Sequence, residues 1–341
     1  MYEYIHNTLK ELCIAAGVGG QRQIADTAIA LLKEYTDTVQ MDAVGNVIAH
    51  LPAEKDSAPV LLLEAHMDEI GFIATAVNDK GFIRVAPCGG VDRRCLAATP
   101  VTVWADTPLN GVFCCAVPHL QKEDGDKAPS AEALYVDVGL SADEAKRRVP
   151  PGAKISFRSN FSSLSGDCVT SKALDNRAGM ASVLYALQLL RGKALPYTIK
   201  VLFSCAEELG CRGAVTGAFT TEANAAIVVD VSFAHTPYEK REDCGEMGKG
   251  AMLGIAPTLS YSLTAKLQNS LQNRDVIFQT EVIGGKTGTN ADVIGTVRAG
   301  IPTVLLSIPL KYMHTPVEEV CLSDIKAVGE SIAAFVESEV L

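Results

Sequence analysis

The stretch Phe203–Ala214, "FSCAEELGCRGA", sets two glutamates, Glu207 and Glu208, side by side where an apolar run, "IKVLFSCA", stops. Adjacent acids on a solvated loop need no explanation. At the rim of a core they call for a cation or a chemical task. Other apolar runs end in the same way. "LLLEAHMDE" ends in His66 and Asp68, "AIVVDVSFAH" carries Asp230, and "VLLSIPLKYMHTP" carries His314. "SKALDNRAG" places Asp175 just before a helical pattern. Neutral imidazole and carboxylate are the donors that zinc and similar divalent ions take. One such ion needs about three protein ligands. The five residues His66, Asp175, Glu208, Asp230 and His314 suit two ions about 3.5–4 Å apart, with Asp175 as the bridging carboxylate.

The remaining acids then acquire roles. Neighbouring side chains project in different directions, so Glu208 can bind metal while Glu207 reaches a water as general base. The metal pair lowers the pKa of that water and polarises a substrate carbonyl. In "HMD", alternate residues of an extended chain face one side. Asp68 can therefore hold the second ring nitrogen of His66 and orient it as a ligand. Taken singly, each group has an ordinary structural reading: a strand-end histidine, an N-cap aspartate, a solvated acid. Five of them following strand-like runs make a shared site the better account.

These groups need a scaffold that brings strand ends together. The chain has 341 residues, which points to two domains. "APVLLLEAHMDEIGF", "YTIKVLFSCAEE", "ANAAIVVDVSFA" and "GIPTVLLSIPLKYMH" read as buried strands covered on both faces. "MYEYIHNTLKELCIAAG", "GQRQIADTAIALLKEY", "DNRAGMASVLYALQLLR" and "GCRGAVTGAFTTE" read as helices, and "TVQMDAVGNVIAHL" as a hairpin. A last helix opens at Ser323 as its N-cap. This alternation predicts a three-layer α/β/α domain formed by residues 1–70 and 168–341. Such sheets bind ligands outside the carboxyl ends of their strands. Residues 71–167 differ. Short runs such as "GFIRVAP", "TPVTVWA", "NGVFCCAV", "ALYVDVG" and "AKISFRS" predict an inserted small all-β domain, barrel-like. It has too little apolar material for a rigid core of its own, and its exposed-looking runs suggest an association surface.

Composition bounds the function. The net charge is -10 and no basic run exceeds "KRR", which argues against nucleic acid as a partner. No apolar run approaches a membrane span, and the N-terminus lacks the basic-then-apolar pattern of a secretion signal. The ten cysteines contain no CxxC pair and read as reduced thiols of a cytoplasmic protein rather than disulfides or a cysteine zinc site.

"HMDEIGF", "ALDNRAG", "AEELGCRGA", "VVDVSFAH" and "KYMHTPVE" together resemble the motifs of the M42 metallo-aminopeptidases, a group that includes glutamyl, leucyl and tetrahedral aminopeptidases and members called endoglucanase M. The likeness runs from "GVGG" near the start to the final helix. It implies a catalytic domain of the dinuclear-zinc exopeptidase type, with two divalent ions per subunit, zinc or cobalt. It matches His66, Asp175, Glu208, Asp230 and His314 to the metal ligands, Glu207 to the catalytic base and Asp68 to the imidazole partner. It further implies that the inserted domain forms dimers, and that dimers build up to a dodecamer. One segment departs from the pattern. In "GGKTGTNADVIG", Gly284–Gly295, Asn290 stands where the family commonly carries an aspartate, and Asp292 follows two residues on.

The function expected is removal of N-terminal residues from peptides. The rival within the same chemistry is another dinuclear amide hydrolase, a deacylase or carboxypeptidase. A glycosidase is disfavoured, because its two carboxyls must flank the bond about 5–10 Å apart and it has no use for histidine ligands. A non-catalytic scaffold would need neither Glu207 nor five ligands.

Overall fold

A computed structural model describes residues 2–55, 57–115, 128, 130, 133–339 and 341. The expected alternation is present. The strands are β1 (Val39–Met41), β2 (Val47–Leu51), β3 (Val60–His66), β4 (Gly71–Val77), β5 (Ile83–Cys88), β6 (Pro100–Trp104), β7 (Pro108–Phe113), β8 (Tyr135–Asp137) and β9 (Lys154–Phe157). They continue as β10 (Ser162–Ser163), β11 (Cys168–Ser171), β12 (Thr198–Ser204), β13 (Ala225–Phe233), β14 (Ala251–Ile255), β15 (Phe278–Val282), β16 (Thr303–Leu310) and β17 (Glu318–Cys321). The helices are α1 (Tyr2–Ile14), α2 (Arg22–Leu32), α3 (Ala142–Arg148), α4 (Leu174–Leu190), α5 (Arg212–Thr221), α6 (Tyr261–Asn273), α7 (Ala291–Ile294) and α8 (Leu322–Glu337).

Among the described residues, eight strands form one sheet in the order β1-β2-β12-β3-β13-β16-β14-β15. At its centre β12, β3, β13 and β16 run parallel. Their side chains alternate between two cores. Leu63, Val229 and Leu306 pack under α1, α4 and α8. Leu62, Val228 and Leu305 pack on the other face, toward α5 and α7. Burial on both sides explains why these strands are continuously apolar in sequence. The result is a three-layer α/β/α fold.

The run Ala58–Phe72, read as one strand, is two. β3 ends at His66, and β4 leaves the sheet for a closed barrel, β4-β5-β8-β7-β6-β9. Gly71 marks the crossing, where a Cβ would lie 2.4 Å from Val18 Cγ2 and 2.7 Å from the Ile155 carbonyl. The barrel also corrects the expectation of a poor core. Phe72 packs edge-on against Phe113 and Phe157, with ring centroids 4.7 and 5.8 Å away, among Ile83, Val101 and Ile155. Val101 and Val103 of "TPVTVWA", expected at the surface, point inward because strand side chains alternate. The latter part of "NGVFCCAV" lies outside the described residues. After the barrel, β10 and β11 join β17 in a three-stranded sheet.

Several local expectations change. α3 went unread in sequence, although Ser141 and Glu144 close a capping box on it. α6, β14 and β15 were also unassigned. Ser323 is not the N-cap of α8. The helix begins at Leu322, and the Ser323 N–H donates to Asp167 Oδ2 at 3.0 Å. The cysteines are not all free thiols. Cys168 of β11 and Cys321 of β17 are direct cross-strand partners and form a disulfide across 153 residues of chain. That pairing is set by the sheet register and has no signature in spacing. Among the described residues no helix is long and apolar enough to cross a membrane.

Candidate active site

The residues singled out in sequence come from five segments and meet at the carboxyl edge of the parallel strands, the ligand-binding edge of such sheets. His66 ends β3 and Asp230 lies on β13. Glu207 and Glu208 follow β12, and His314 follows β16. Asp175 enters from the start of α4, where Asp175 and Asn176 are joined by a cis peptide bond. Ala206 is left-handed, with φ 56°, and turns the chain so that the glutamate pair faces the cleft.

Two overlapping clusters result. In one, His66 Nε2 lies 3.0 Å from Asp175 Oδ1 and 3.7 Å from Asp230 Oδ1. In the other, His314 Nε2 lies 3.4 Å from both Asp175 Oδ2 and Glu208 Oε1. Within each cluster the donor atoms lie within 4.8 Å of one another. Asp175 belongs to both, one carboxylate oxygen toward each imidazole. Glu207 borders the same cavity, a cleft of about 240 Å³ walled also by Phe233, Met313 and Thr287–Thr289.

Supporting contacts fix the orientation of these groups. His66 Nδ1 is 3.2 Å from the Asp68 carbonyl and 3.6 Å from its carboxylate Oδ1. The Asp68 carboxylate mainly does something the sequence did not suggest. Its two oxygens accept the backbone N–H groups of Glu207, at 3.0 Å, and Glu208, at 3.3 Å. His314 Nδ1 donates to the Gly90 carbonyl at 3.0 Å, so a barrel loop reaches the site. Gly90 allows this approach, since a Cβ there would lie 2.9 Å from that nitrogen. Glu318, buried and unassigned in sequence, accepts from the backbone N–H of His314 at 2.9 Å and of Asp175 at 3.1 Å. Its position inside "KYMHTPVE" was the one available signal. Asn290 is buried too, and its amide donates to Glu64 Oε1 at 2.8 Å and to Ser204 Oγ at 3.0 Å.

Electrostatics shows what the cluster lacks. Burial raises Glu208 and Asp230 above the usual carboxylate range and pushes Glu207 up to about 7. Burial also opposes ionisation of Asp175, but the His314 and His66 imidazoles outweigh it and hold that carboxyl low. Hydrogen bonds to Asp175 and Glu208 push His314 up to about 11. Among the described residues no Lys or Arg forms an ion pair with Asp175, Glu207, Glu208 or Asp230. Buried carboxylates without cationic partners are costly. Divalent cations fit this donor set and would remove the deficit. A larger cavity, about 520 Å³, lies along α8 near Arg274 and Lys193. Arg274 and Lys193 pair with Glu337, and Lys326 on the same wall pairs with Glu330, so it offers no comparable chemistry.

Residues 45–330 match the family described as M42 glutamyl aminopeptidase. The chain is 32% identical over 333 residues to a lysyl aminopeptidase of Pyrococcus furiosus, covering 95% of this chain and 93% of that protein. It is similar to an aminopeptidase, APDkam598, from the archaeon Desulfurococcus kamchatkensis, with TM-score 0.91 and 28% identity over 98% of this chain and 95% of that one. The TET1 peptidase of Pyrococcus horikoshii gives TM-score 0.86 and 28% identity over 97% and 99% of the two chains. With an acid-rich pair of clusters at the strand ends and this likeness along nearly its whole length, the chain belongs to the M42 glutamyl aminopeptidase family and is a metal-dependent aminopeptidase.

Proposed function

We propose that this enzyme cleaves the first peptide bond of peptides with a free N-terminus, using two divalent ions and Glu207 as general base. The observation that carries the reading is Asp175, whose two oxygens face His66 and His314 separately. His66 and Asp230 would hold one ion, His314 and Glu208 the other, and Asp175 both. Zinc or cobalt suits these donors. The bound ions supply Lewis acidity, which lowers the pKa of a water and polarises the scissile carbonyl. Glu207 takes the proton of the attacking water and returns it to the departing amine. Its backbone is fixed for this by Asp68. Asp68 also fixes the ring of His66, so we assign it a positioning role in catalysis.

The finer context follows from the same reading. The barrel is the dimer-forming surface, and dimers build up to a dodecamer. Support comes from the half-exposed Val112 on β7 and from the P. horikoshii TET1 peptidase, which can assemble into a tetrahedron or a large octahedral shell. We assign the enzyme to the cytoplasm. Eight described cysteines are unpaired, as in compartments that keep thiols reduced, with Cys168–Cys321 as the exception.

Paired substrates test the activity. A peptide with a free amino end should lose its first residue, while the same peptide N-acetylated should stay intact. Release from the carboxyl end, or deacetylation of the blocked peptide, would overturn the aminopeptidase reading in favour of a carboxypeptidase or deacylase.

A further inference from the structure

The polar face of the sheet does not stop at the metal-ligand candidates. Asp230 on β13 is the register partner of Ser307 on β16, and Ser232 follows Asp230 on the same face of β13. Beyond them, on the edge strand β15, stands Glu281. Its partner on the intervening strand β14 is Gly254, and Met252, two residues earlier on that strand, faces Ser307, so Glu281 reaches β16 on the diagonal, over the position that carries no side chain. The Glu281 carboxylate crosses that gap. It accepts from Ser307 Oγ at 2.8 Å and from the hydroxyl of Ser232. Ser232 lines the cleft. The chain after β15 then folds back, and Thr287–Thr289 form the wall above.

Glu281 has hydroxyl partners only. Among the described residues no Lys or Arg forms an ion pair with it. Its burial raises the carboxyl above the usual range, as expected of a desolvated acid with no cation beside it. A structural carboxylate of this kind normally has a cationic partner.

We propose that Glu281 is a specificity-determining residue that receives the positively charged side chain of the substrate's first residue, making lysyl and arginyl N-termini the preferred substrates. This rests on the aminopeptidase reading above. Spacing selects the side chain rather than the α-amine as the cation. The α-amine lies two bonds from the scissile carbonyl and must stay beside the metal-ligand candidates. The Glu281 carboxylate is held by Ser307, one strand spacing of ~4.8 Å to the side of Asp230, and by Ser232, two residues of extended chain, roughly 6–7 Å, past Asp230. That span needs a stem such as lysine's four carbons. Phe233 and Met313 would cover the apolar part of the stem.

The test uses the metal-loaded enzyme and L-lysyl, L-leucyl and L-glutamyl p-nitroanilides. The wild type should show the highest kcat/KM on the lysyl substrate and the lowest on the glutamyl one. Glu281→Gln should lower the lysyl-to-leucyl ratio at least ~10-fold, chiefly through KM, as for loss of one charge-assisted contact. Glu281→Lys should raise the glutamyl-to-lysyl ratio. Thermal melts check that both variants are folded. Equal losses on all three substrates, or a wild type that prefers leucyl or glutamyl anilide, would overturn the assignment while leaving the aminopeptidase reading intact. Failure of the wild type to cleave any of the three would instead remove the reading on which the assignment rests.

Discussion

Glu318 accepts the backbone N–H of Asp175 at 3.1 Å with one carboxylate oxygen. The other oxygen holds the backbone of His314 at 2.9 Å. One buried acid thus ties α4 to the loop after β16. It sets the separation of two proposed ligands without touching the reacting atoms.

Replacing this tie should loosen metal binding before it harms chemistry. In Glu318→Gln one backbone N–H meets an amide NH₂ in place of an acceptor. We expect metal affinity to fall 10–100-fold, the usual cost of losing an outer-shell partner. The turnover number at saturating metal should stay within a few-fold of wild type. Competition with a coloured chelator measures the affinity, and unchanged affinity would show that Glu318 acts only in folding.

Removing metal should remove activity. Dialysis against a strong chelator is expected to abolish peptide hydrolysis, and added zinc or cobalt to restore it. The check is hydrolysis rate against metal content by mass spectrometry. Full activity in a verified metal-free sample would sink the mechanism.

The two adjacent glutamates should separate by function. Glu207→Gln keeps the shape and removes the base, so kcat should drop at least ~10²-fold with metal content retained. Glu208→Gln should lose metal. The reverse pattern would exchange the two assignments.

Stability should carry the signature of a carboxyl far from the site. Asp324 is fully buried in the first turn of α8, where it accepts from the N–H groups of Gly248 at 2.7 Å and Gly250 at 2.8 Å. Burial pushes its carboxyl up to about 6. The folded state therefore binds this proton more tightly than the unfolded state. The stabilisation is complete below about pH 4 and is lost as pH rises through about 6. Relative to Asp324→Asn, wild-type stability should fall by about 2 kcal/mol between pH 4 and pH 7. Urea unfolding of both proteins at four pH values measures this, and a constant difference would refute it.

Assembly should be visible in solution. We expect light scattering at micromolar concentration to give a dimer or larger. A mass near the 36.1 kDa of one chain would rule out the proposed role of the barrel as a contact surface.

The residue types alone pointed to the chemistry. Two histidines and a set of acids after apolar runs are a donor set for cations, and runs without alternation fit strands covered on both faces. That His66, Asp175, Glu208, Asp230 and His314 share one site was legible for that reason, as was the place of Glu207 beside them. The tertiary structure decided what depends on register and on approach between distant segments. Nothing near Glu318 in sequence shows that it spans Asp175 and His314. Asp68 was read as a partner of His66, yet its carboxylate serves the backbone of Glu207 and Glu208, because β12 and β3 are neighbours in the sheet. Glu281 drew no reading in sequence, and only the fold brings its carboxylate to Ser307 and Ser232. Cys168 met Cys321 through strand pairing alone. Local sequence sets which groups are available and which faces are buried. Only packing sets which of them share a few ångströms, because that distance is fixed by segments far apart in the chain.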